Sequence, residues 1–315
     1  MRRQTAAVLI LVASTITPSS PRAETLKVAI AQKGNWDTSI VDFGVRQGFF
    51  KAEGLDIEPT YTEGGANNEQ AVISGSTDLA LGTGLLGIIS AYVKDAPVRV
   101  IAAEMTGLPD LYFFARADRG IKSIKDATGK TIAYSNPGSS SNLATLALLR
   151  QAGIEAKPVA GGGLPAVFTQ TMTGQIDIGH SVPPMGLAEL KKGEIVIVAR
   201  ANDVPAIHNQ TVRVNVANLN FLKARRDAAV RFARAYQKSL DWAFSDPKAI
   251  DYFAEGKAVS RELAQEAFAY YAKADEQPYE IKGLEQTLAD AYEFKRIAKP
   301  MTADDVKGLF DIIKP

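Results

Sequence analysis

The sequence contains no cysteine and only two histidines, and its 36 basic residues are nearly balanced by 35 acidic ones. Without cysteine the chain has no disulfide, no thiol for a lipid anchor and no ligand for an iron–sulfur cluster. Two histidines leave few ligands for zinc, so we expect neither a metal nor a cofactor. The formal net charge of +1 lacks the basic excess that is typical of nucleic-acid-binding proteins, and we expect no nucleic-acid partner.

The apolar run near the start of the chain is too short to span a bilayer, which needs roughly 20 apolar residues. Arg2 and Arg3 precede this run, which extends from Ala6 to Ala13, and small residues and a proline follow it up to Ala23. This order of charged, apolar and small segments is typical of a secretory signal peptide. We therefore predict that residues 1–23 are a signal peptide cleaved near Ala23 and that the mature chain is soluble in the periplasm.

Short apolar runs alternate with amphipathic stretches along most of the mature chain. Leu26, Val28 and Ile30 alternate as in a strand, and the residues from Ile40 to Lys51 have the pattern of a helix. This alternation predicts parallel βαβ units and an α/β fold class. The same rhythm restarts near residue 130, and a local echo between residues 75–80 and 174–179 indicates a duplicated plan.

Two extended stretches flank the second unit and indicate where the chain passes between two lobes. They are Leu111–Arg116 and Thr211–Val216, and the pattern after the second stretch is wholly helical. We predict one lobe from residues 24–112 and 215–315, with the helical tail, and another from residues 113–214. Each lobe should hold a mostly parallel sheet flanked by helices, and two connections between the lobes make a hinge plausible.

Ligands of parallel sheets bind beyond the carboxyl ends of the strands, and here the loops at those ends are rich in glycine, serine, threonine and asparagine. Several of these loops open a helix, as at Gly65 after the second strand. Helix N-termini offer unpaired N–H groups and a partial positive charge, so several of them at one cleft would bind an anion. Glycine and serine are also ordinary turn and cap residues, so a single loop of this kind has a second interpretation.

Three side chains in these loops are candidates for direct contact with a ligand. Trp36 follows the first strand and could stack on an organic group, and Lys33 in the same loop could supply a cation. His180 follows a strand of the second unit and is a candidate residue of the cleft wall. Core packing for Trp36 and solvation for Lys33 are the alternatives.

A catalytic interpretation rests on residues 179–183, which follow a strand and precede a helix as a hydrolase nucleophile elbow does. The elbow pattern requires a second glycine where this chain has Pro183, and only His208 is available later as a base for Ser181. A periplasmic serine hydrolase using Ser181 and His208 is therefore an alternative, while our prediction is that the protein is not an enzyme.

The order of motifs resembles that of the solute-binding proteins of nitrate, sulfonate and taurine ABC importers, in the NMT1/THI5-like superfamily. The most specific stretch is the run G-F-F-K-A-E-G-L-D at residues 48–56. Residues 75–84, 129–134 and 138–141 add to the resemblance, which covers essentially the whole mature chain.

The resemblance implies a type II periplasmic-binding-protein fold, in which two α/β lobes joined by two crossover strands close over a ligand. It also implies a monomer that delivers its ligand to an inner-membrane permease driven by a cytoplasmic ATPase. Sulfonate-binding members hold the anion with helix ends, hydroxyls and amides, which in this chain points to Thr83, Gly84, Ser139 and Ser140. Lys33 and Trp36 match the first ligand loop of the family in position but not in residue type.

We predict a periplasmic binding protein for a small organic anion, with a sulfonate or sulfate ester favoured. A binder of a neutral or aromatic nitrogenous solute such as a pyrimidine, or of an aromatic carboxylate, is the first alternative. Neither composition nor motif identifies the ligand among these classes.

Overall fold

Five strands of the first lobe form one sheet in the order β2-β1-β3-β10-β4. The computed structural model describes residues 23–315, so the predicted signal peptide lies outside the described residues except for Ala23. The β1, β2 and β3 strands are parallel, and β10 runs antiparallel to both of its neighbours. The strand bounds are β1 Glu24–Ala31, β2 Leu55–Thr62, β3 Leu79–Gly84, β4 Val98–Thr106 and β10 Thr211–Asn218.

The second lobe repeats this plan with the strands between β4 and β10. Its strand bounds are β5 Tyr112–Arg116, β6 Thr131–Tyr134, β7 Lys157–Ala160, β8 Gly179–Ser181 and β9 Ile195–Arg200. The β6 and β7 strands are parallel, and β5 lies antiparallel between β8 and β9. A parallel bridge between Ile132 and Ile178 connects the two parts. The resulting order, β7-β6-β8-β5-β9, matches that of the first lobe strand for strand, and we call the two units lobe I and lobe II.

Helices cover the sheets and complete the predicted α/β architecture. Lobe II carries α5 Ser140–Ala152, α6 Leu164–Met172 and α7 Leu187–Lys192. The first helices of lobe I are α1 Ile40–Arg46, α2 Phe49–Ala52, α3 Gly65–Ser74 and α4 Leu85–Tyr92. The later helices are α8 Pro205–His208, α9 Leu219–Ser245, α10 Lys248–Lys257, α11 Arg261–Phe268 and α12 Leu284–Glu293. No helix within residues 23–315 is both long enough and apolar enough to cross a bilayer.

One predicted helix is divided in two. The pattern from Ile40 to Lys51 indicates a single helix, but the chain turns at Gly48, where φ is 75°. Glycine adopts this left-handed conformation without the steric cost that a side chain imposes, so α1 ends before it and α2 starts after it.

The two extended stretches that flank the second unit are the strands β5 and β10, and the chain crosses between the lobes immediately before each of them. These crossings are residues 107–111 and 201–210. They lie side by side, because Gly107 N donates to the carbonyl of Gln210 at 2.8 Å and Leu108 N donates to Asn202 Oδ1 at 2.7 Å. The lobe boundaries that we predict from the sequence fall at the first residue of β5 and within β10.

Candidate binding cleft

The cleft lies where loops at the carboxyl ends of strands from both lobes meet. Lobe I and the first crossing supply Ala31, Gln32, Asn35, Asp37, Thr38, Gly64, Gly65, Gly82, Leu111 and Arg213. Lobe II supplies Ser135, Ser139, Ser140, Ser141, Leu164, His180 and Val182. About 50 Å³ of space remains between these residues. Because one water needs about 10–15 Å³ on this measure, the cleft in this conformation accommodates only a small solute.

Three helix N-termini converge on this cleft, as the loop pattern predicts. Gly65 is the first residue of α3, Gly84 is the N-cap of α4 and Ser139 is the N-cap of α5. A Cβ atom at Gly84 would lie only 2.7 Å from the Gly138 carbonyl oxygen and 3.2 Å from Ser140 N. The lobes therefore touch beside the start of α5, where backbone N–H groups and the helix dipole favour an anion.

A chain of side-chain hydrogen bonds runs behind the start of α5. His180 Nε2 lies 3.2 Å from Ser135 Oγ, which is 3.2 Å from Ser141 Oγ, and Ser139 Oγ is 3.1 Å from Ser141 Oγ. His180 Nδ1 lies 3.2 Å from the Ala133 carbonyl oxygen, which can only accept. Neutral His180 therefore donates through Nδ1 and accepts through Nε2 from Ser135.

This hydrogen-bond direction leaves Ser139 as the member of the chain whose proton can turn toward the cleft. Ser135 donates to His180 and Ser141 donates to Ser135, so their protons are already used. Ser139 Oγ accepts from Asn142 N at 3.2 Å, and its own proton is free for Ser141 or a ligand. Burial lowers the pKa of His180 to about 4, so this wall is uncharged near neutral pH.

An ion-pair cluster forms the lobe I side of the cleft. Arg213 Nη1 donates to Asp37 Oδ2 at 2.8 Å and to Asp110 Oδ2 at 2.7 Å, and all three residues are buried. The Tyr271 hydroxyl donates to the same Asp110 oxygen at 3.2 Å. Arg213 lies in β10 and Asp110 in the first crossing, so this cluster joins the hinge region to the ligand loop after β1.

Two further buried carboxyl groups lie next to this cluster. Glu104 accepts a hydrogen bond from Gly82 N, and neither oxygen of Glu276 has a partner among the described residues. Burial, followed by repulsion from Asp37, raises the pKa of both groups well above the ordinary glutamate value. Within residues 23–315, no three His, Asp or Glu side chains are arranged to hold a metal ion.

The structure brings five of the eight predicted site residues to the cleft or its edge. Gly65, Ser139, Ser140 and His180 line it, and Gly84 lies at the contact between the lobes beside it. The strand-end rule explains most of this outcome, since Gly65, Ser139 and Ser140 follow the parallel strands β2 and β6 and Gly84 ends β3. His180 lies within β8 rather than in the loop after it.

The side chains of Thr83, Lys33 and Trp36 are not brought to the cleft. The Thr83 hydroxyl is fully buried and donates to the Val214 carbonyl at 2.8 Å, because it faces the neighbouring strand. Lys33 is exposed, and its Nζ lies 4.7 Å from the ring centroid of Tyr61. Trp36 is fully buried in an aromatic cluster in which the Phe268 ring centroid is 4.4 Å away, so it cannot stack on a ligand.

The hydrolase alternative requires a hydrogen bond between Ser181 and His208, and the structure does not have it. Ser181 is fully buried and its hydroxyl donates to the Met185 carbonyl at 3.0 Å, whereas His208 is exposed on α8 and makes no hydrogen bond to it. The serine–histidine pair that does exist, Ser135 and His180, has a carbonyl where a catalytic triad has a carboxylate.

Sequence reasoning missed Asp37 and Arg213 as cleft residues. Asp37 belongs to the loop after β1, in which we assigned the ligand contacts to Trp36 and Lys33 instead. Arg213 had a signal of its own, because it is a charged residue between Val212 and Val214 in a strand whose residues are all buried. Buried charges are paired as a rule, and the identity of the partners depends on the tertiary fold.

A family model described as NMT1/THI5 like matches residues 41–250 of the chain. No curated protein sequence matches the chain.

Solved structures with the same fold are numerous, and three of them cover most of both chains. The CA3427 gene product of Candida albicans, described as having the generic periplasmic binding protein fold, superimposes with a TM-score of 0.75 at 17% identity over 93% of this chain and 98% of its own. The alkanesulfonate-binding protein SsuA from Xanthomonas axonopodis pv. citri, bound to MOPS, gives 0.76 at 14% identity over 93% and 99%. The nitrate-binding protein NrtA from Synechocystis PCC 6803 gives 0.73 at 12% identity over 93% and 87%.

Proposed function

The chain belongs to the NMT1/THI5-like family, and on that premise we propose that it is the periplasmic solute-binding component of an ABC importer. Its ligand is a small organic molecule with an acid group, for which a sulfonate or sulfate ester is favoured. The protein carries the ligand without transforming it and delivers it to an inner-membrane permease with a cytoplasmic ATPase. The predicted signal peptide and the names of the sulfonate-binding and nitrate-binding structural relatives support this proposal.

The observation that carries the ligand class is the start of α5 in the cleft wall. Ser139 and Ser140 line the cleft at the N-terminus of a 13-residue helix, and the Ser139 proton is free to turn toward a ligand. Backbone N–H groups and a hydroxyl together suit the oxygens of an acid group. Neutral His180 stabilises this wall by accepting from Ser135, without adding a charge of its own.

The lining residues also bear on the aromatic alternative. Apart from the His180 imidazole, none of the residues that line the cleft within the described part of the chain has an aromatic ring. A flat heterocycle held by stacking needs such a ring, and Trp36 is packed in the core. The chemistry of the wall therefore favours an acid group over a stacked pyrimidine.

A thermal-shift panel on the mature protein tests this proposal. The protein is unfolded and refolded to remove carried ligand, then tested with alkanesulfonates, sulfate esters, carboxylates, pyrimidines and nitrate. A ligand that binds only the folded state raises its stability by about 2.7 kcal/mol at a hundredfold excess over Kd.

The pattern of shifts distinguishes the ligand classes. We expect a shift with compounds that carry a sulfonate or sulfate ester and none with their neutral analogues. Shifts only with uncharged heterocycles would replace the ligand class and leave the binding function in place. Turnover of a candidate ester that is lost in a Ser181→Ala variant would instead favour the hydrolase.

A further inference from the structure

The lining of the cleft offers no uncompensated cation to an acid group at the start of α5. Among residues 23–315, Arg213 is the one arginine or lysine in the lining, and its Nη1 atom donates to both Asp37 and Asp110, at 2.8 and 2.7 Å. The His180 side chain is neutral near pH 7, because burial lowers its pKa to about 4. An anion taken out of water is costly unless a positive charge compensates it, so a cation directly behind the lining would affect binding strongly.

Arg296, which follows α12, places a cation behind the start of α5. One N–H group of its guanidinium donates to Asn142 Oδ1, and the same oxygen accepts a hydrogen bond from Gly138 N at 3.1 Å. The main-chain N–H of Asn142 in turn donates to Ser139 Oγ at 3.2 Å. A single residue, Asn142, therefore separates the guanidinium from the serine that lines the cleft.

The charge of Arg296 is not compensated by an acid. Its guanidinium forms no ion pair with an aspartate or glutamate of residues 23–315, and its partner Asn142 is neutral. The two acids at the end of α12, Asp290 and Glu293, are bound by Arg150 Nη1 instead, at 2.9 and 2.5 Å. A cation beside a helix N-terminus opposes the helix dipole, which favours negative charge there. The arrangement becomes favourable once an anion binds at the start of α5.

The main chain of Arg296 is held by lobe I, although its guanidinium contacts lobe II. Ser90 Oγ in α4 donates to the Arg296 carbonyl at 2.8 Å, and Arg296 N donates to the Ala291 carbonyl at 2.7 Å. The side chain is half-buried, so solvent screens its charge less than that of a surface arginine. Lobe I thus contributes positive charge to a site whose hydrogen-bond donors lie in lobe II.

We propose that Arg296 is the counter-charge for the acid group of the ligand and that it acts through Asn142, without touching the ligand. It is therefore a positioning residue that sets the preference of the cleft for anions. This inference rests on the proposed function, in which the acid group occupies the start of α5.

Titration calorimetry on the refolded protein at pH 7.5, with propanesulfonate, butanoate and nitrate as probes, tests this role. Charges on the order of 10 Å apart near a protein surface change an affinity about tenfold, so we expect Arg296→Gln to weaken the binding of each anion by about this factor. Arg296→Lys keeps the charge but not the shape of the guanidinium, and it should stay within about threefold of the wild type. Lys295→Gln is the matched control, because it removes one positive charge from the neighbouring, exposed residue, and it should keep the wild-type affinity.

The lysine variant separates the charge from the hydrogen-bond geometry. Equal losses of affinity in Arg296→Lys and Arg296→Gln would indicate a structural role only and would overturn the proposal. Wild-type affinity in Arg296→Gln would overturn it as well. Arg296→Met also removes the charge, and it replaces the glutamine variant if that variant does not fold.

An Asn142→Asp variant distinguishes failure of this proposal from failure of the proposed function. It keeps the shape of the side chain but places a carboxylate at the start of α5, so we expect it to weaken anion binding by at least about tenfold and to raise the melting temperature of the ligand-free protein. Loss of anion binding in Asn142→Asp with wild-type affinity in Arg296→Gln would overturn Arg296 alone. Wild-type affinity in both variants, or no binding of the three anions by the wild type, would count against the acid-binding site itself.

Discussion

Ser139 has two roles at the residue scale, and different measurements separate them. It caps α5 by accepting from Asn142 N, and it lines the cleft with the one free proton of its hydrogen-bond chain. We expect Ser139→Ala to weaken ligand binding by about 1–3 kcal/mol, because a buried acid group loses a donor. Calorimetric titration with a ligand identified in the panel measures this change.

Ser260 supplies the control for the capping role of Ser139. It caps α11 with the same bond, from Leu263 N at 3.2 Å, and it does not line the cleft. Loss of a serine cap costs about 0.5–2 kcal/mol of stability, so both alanine variants should melt earlier. Only Ser139→Ala should lose affinity, and a loss in Ser260→Ala of the same size would remove Ser139 from the site.

His180 predicts a pH dependence of stability with a definite sign. Burial lowers its folded pKa to about 4, whereas an unfolded histidine titrates near 6.5. The unfolded state therefore binds more protons between these values, and the contribution of His180 is complete above pH 6.5 and is lost as the pH falls toward 4. The full loss is about 3 kcal/mol, since one pKa unit corresponds to about 1.4 kcal/mol.

A comparison of two histidine variants separates this contribution from that of the buried carboxyl groups. The pKa values of Glu104 and Glu276 are raised by burial, so their contribution to the stability of the folded state increases as the pH falls, opposite to that of His180. His180→Gln should lose less stability than the wild type between pH 6.5 and 4.5 in urea unfolding. His208, the only other histidine of the sequence, is exposed, so His208→Gln should follow the wild-type profile. Parallel profiles for wild type and His180→Gln would show that His180 is not held neutral in the folded protein.

At the residue scale, the sequence predicted which residues lie at the cleft better than it predicted what their side chains contact. The strand-end rule located Gly65, Ser139 and His180 at the cleft, because it depends only on the order of strands and turns. It could not tell that the Trp36 ring turns inward, since that depends on Phe268 and other rings more than 200 residues away. Side-chain direction is a tertiary property, and no local pattern encodes it.

At the scale of elements, the cleft closes through glycines that allow two backbones to touch. Gly84 has φ −71° and ψ 124°, a conformation that alanine adopts freely, so its own backbone does not require glycine. Glycine is required at this position because of a neighbour in lobe II: a Cβ added to Gly84 would lie 2.7 Å from the Gly138 carbonyl oxygen. A second contact of this kind joins Gly163 to Glu63, with a Cβ at 3.1 Å from the Glu63 carbonyl.

We expect Gly84→Ala to oppose closure of the lobes while leaving lobe I folded. Overpacking of a tight contact costs about 1–3 kcal/mol, and this cost should appear as weaker ligand binding and a larger radius of gyration with ligand present. Small-angle scattering and calorimetry measure the two effects. Gly256→Ala is the control, because an added Cβ in α10 meets nothing within 4 Å. Wild-type affinity in Gly84→Ala would mean that the ligand-bound protein does not use this contact.

The elements themselves follow closely from the sequence, since hydrophobic alternation and glycine positions are local signals. Gly75 and Gly174, which mark the echo between the two units, both have positive φ, 74° and 80°, and each lies after a helix and before a strand. The division of the first helix at Gly48 was missed, because a glycine within an apolar helical pattern is often tolerated there. Strand order was beyond local reasoning, since β10 enters the sheet of lobe I from more than 100 residues away.

At the scale of the whole molecule, one buried arginine joins parts of the chain that are far apart in sequence. Arg213 in β10 contacts Asp37 of the ligand loop and Asp110 of the first crossing, and Tyr271 from the helical tail donates to Asp110. The cluster therefore links three parts of the molecule: the first crossing at Asp110, the loop after β1 at Asp37 and the C-terminal helical segment at Tyr271. No composition or spacing argument brings these residues together, because their contacts exist only in the folded chain.

Arg213→Gln is therefore expected to cost the molecule stability well beyond the loss of a surface ion pair. Removing one partner of a buried pair leaves uncompensated charge, which typically costs about 3–5 kcal/mol, and here two carboxylates lose their cation. Arg226→Gln is the matched control, because Arg226 forms a double ion pair with Asp311 on the surface, and exposed pairs contribute about 0–1 kcal/mol. Urea unfolding of both variants at pH 7.5 gives the comparison. Equal losses would mean that the carboxylates of Asp37 and Asp110 accept protons or water in place of Arg213, and that this buried cluster stabilises the folded protein no more than a surface ion pair does.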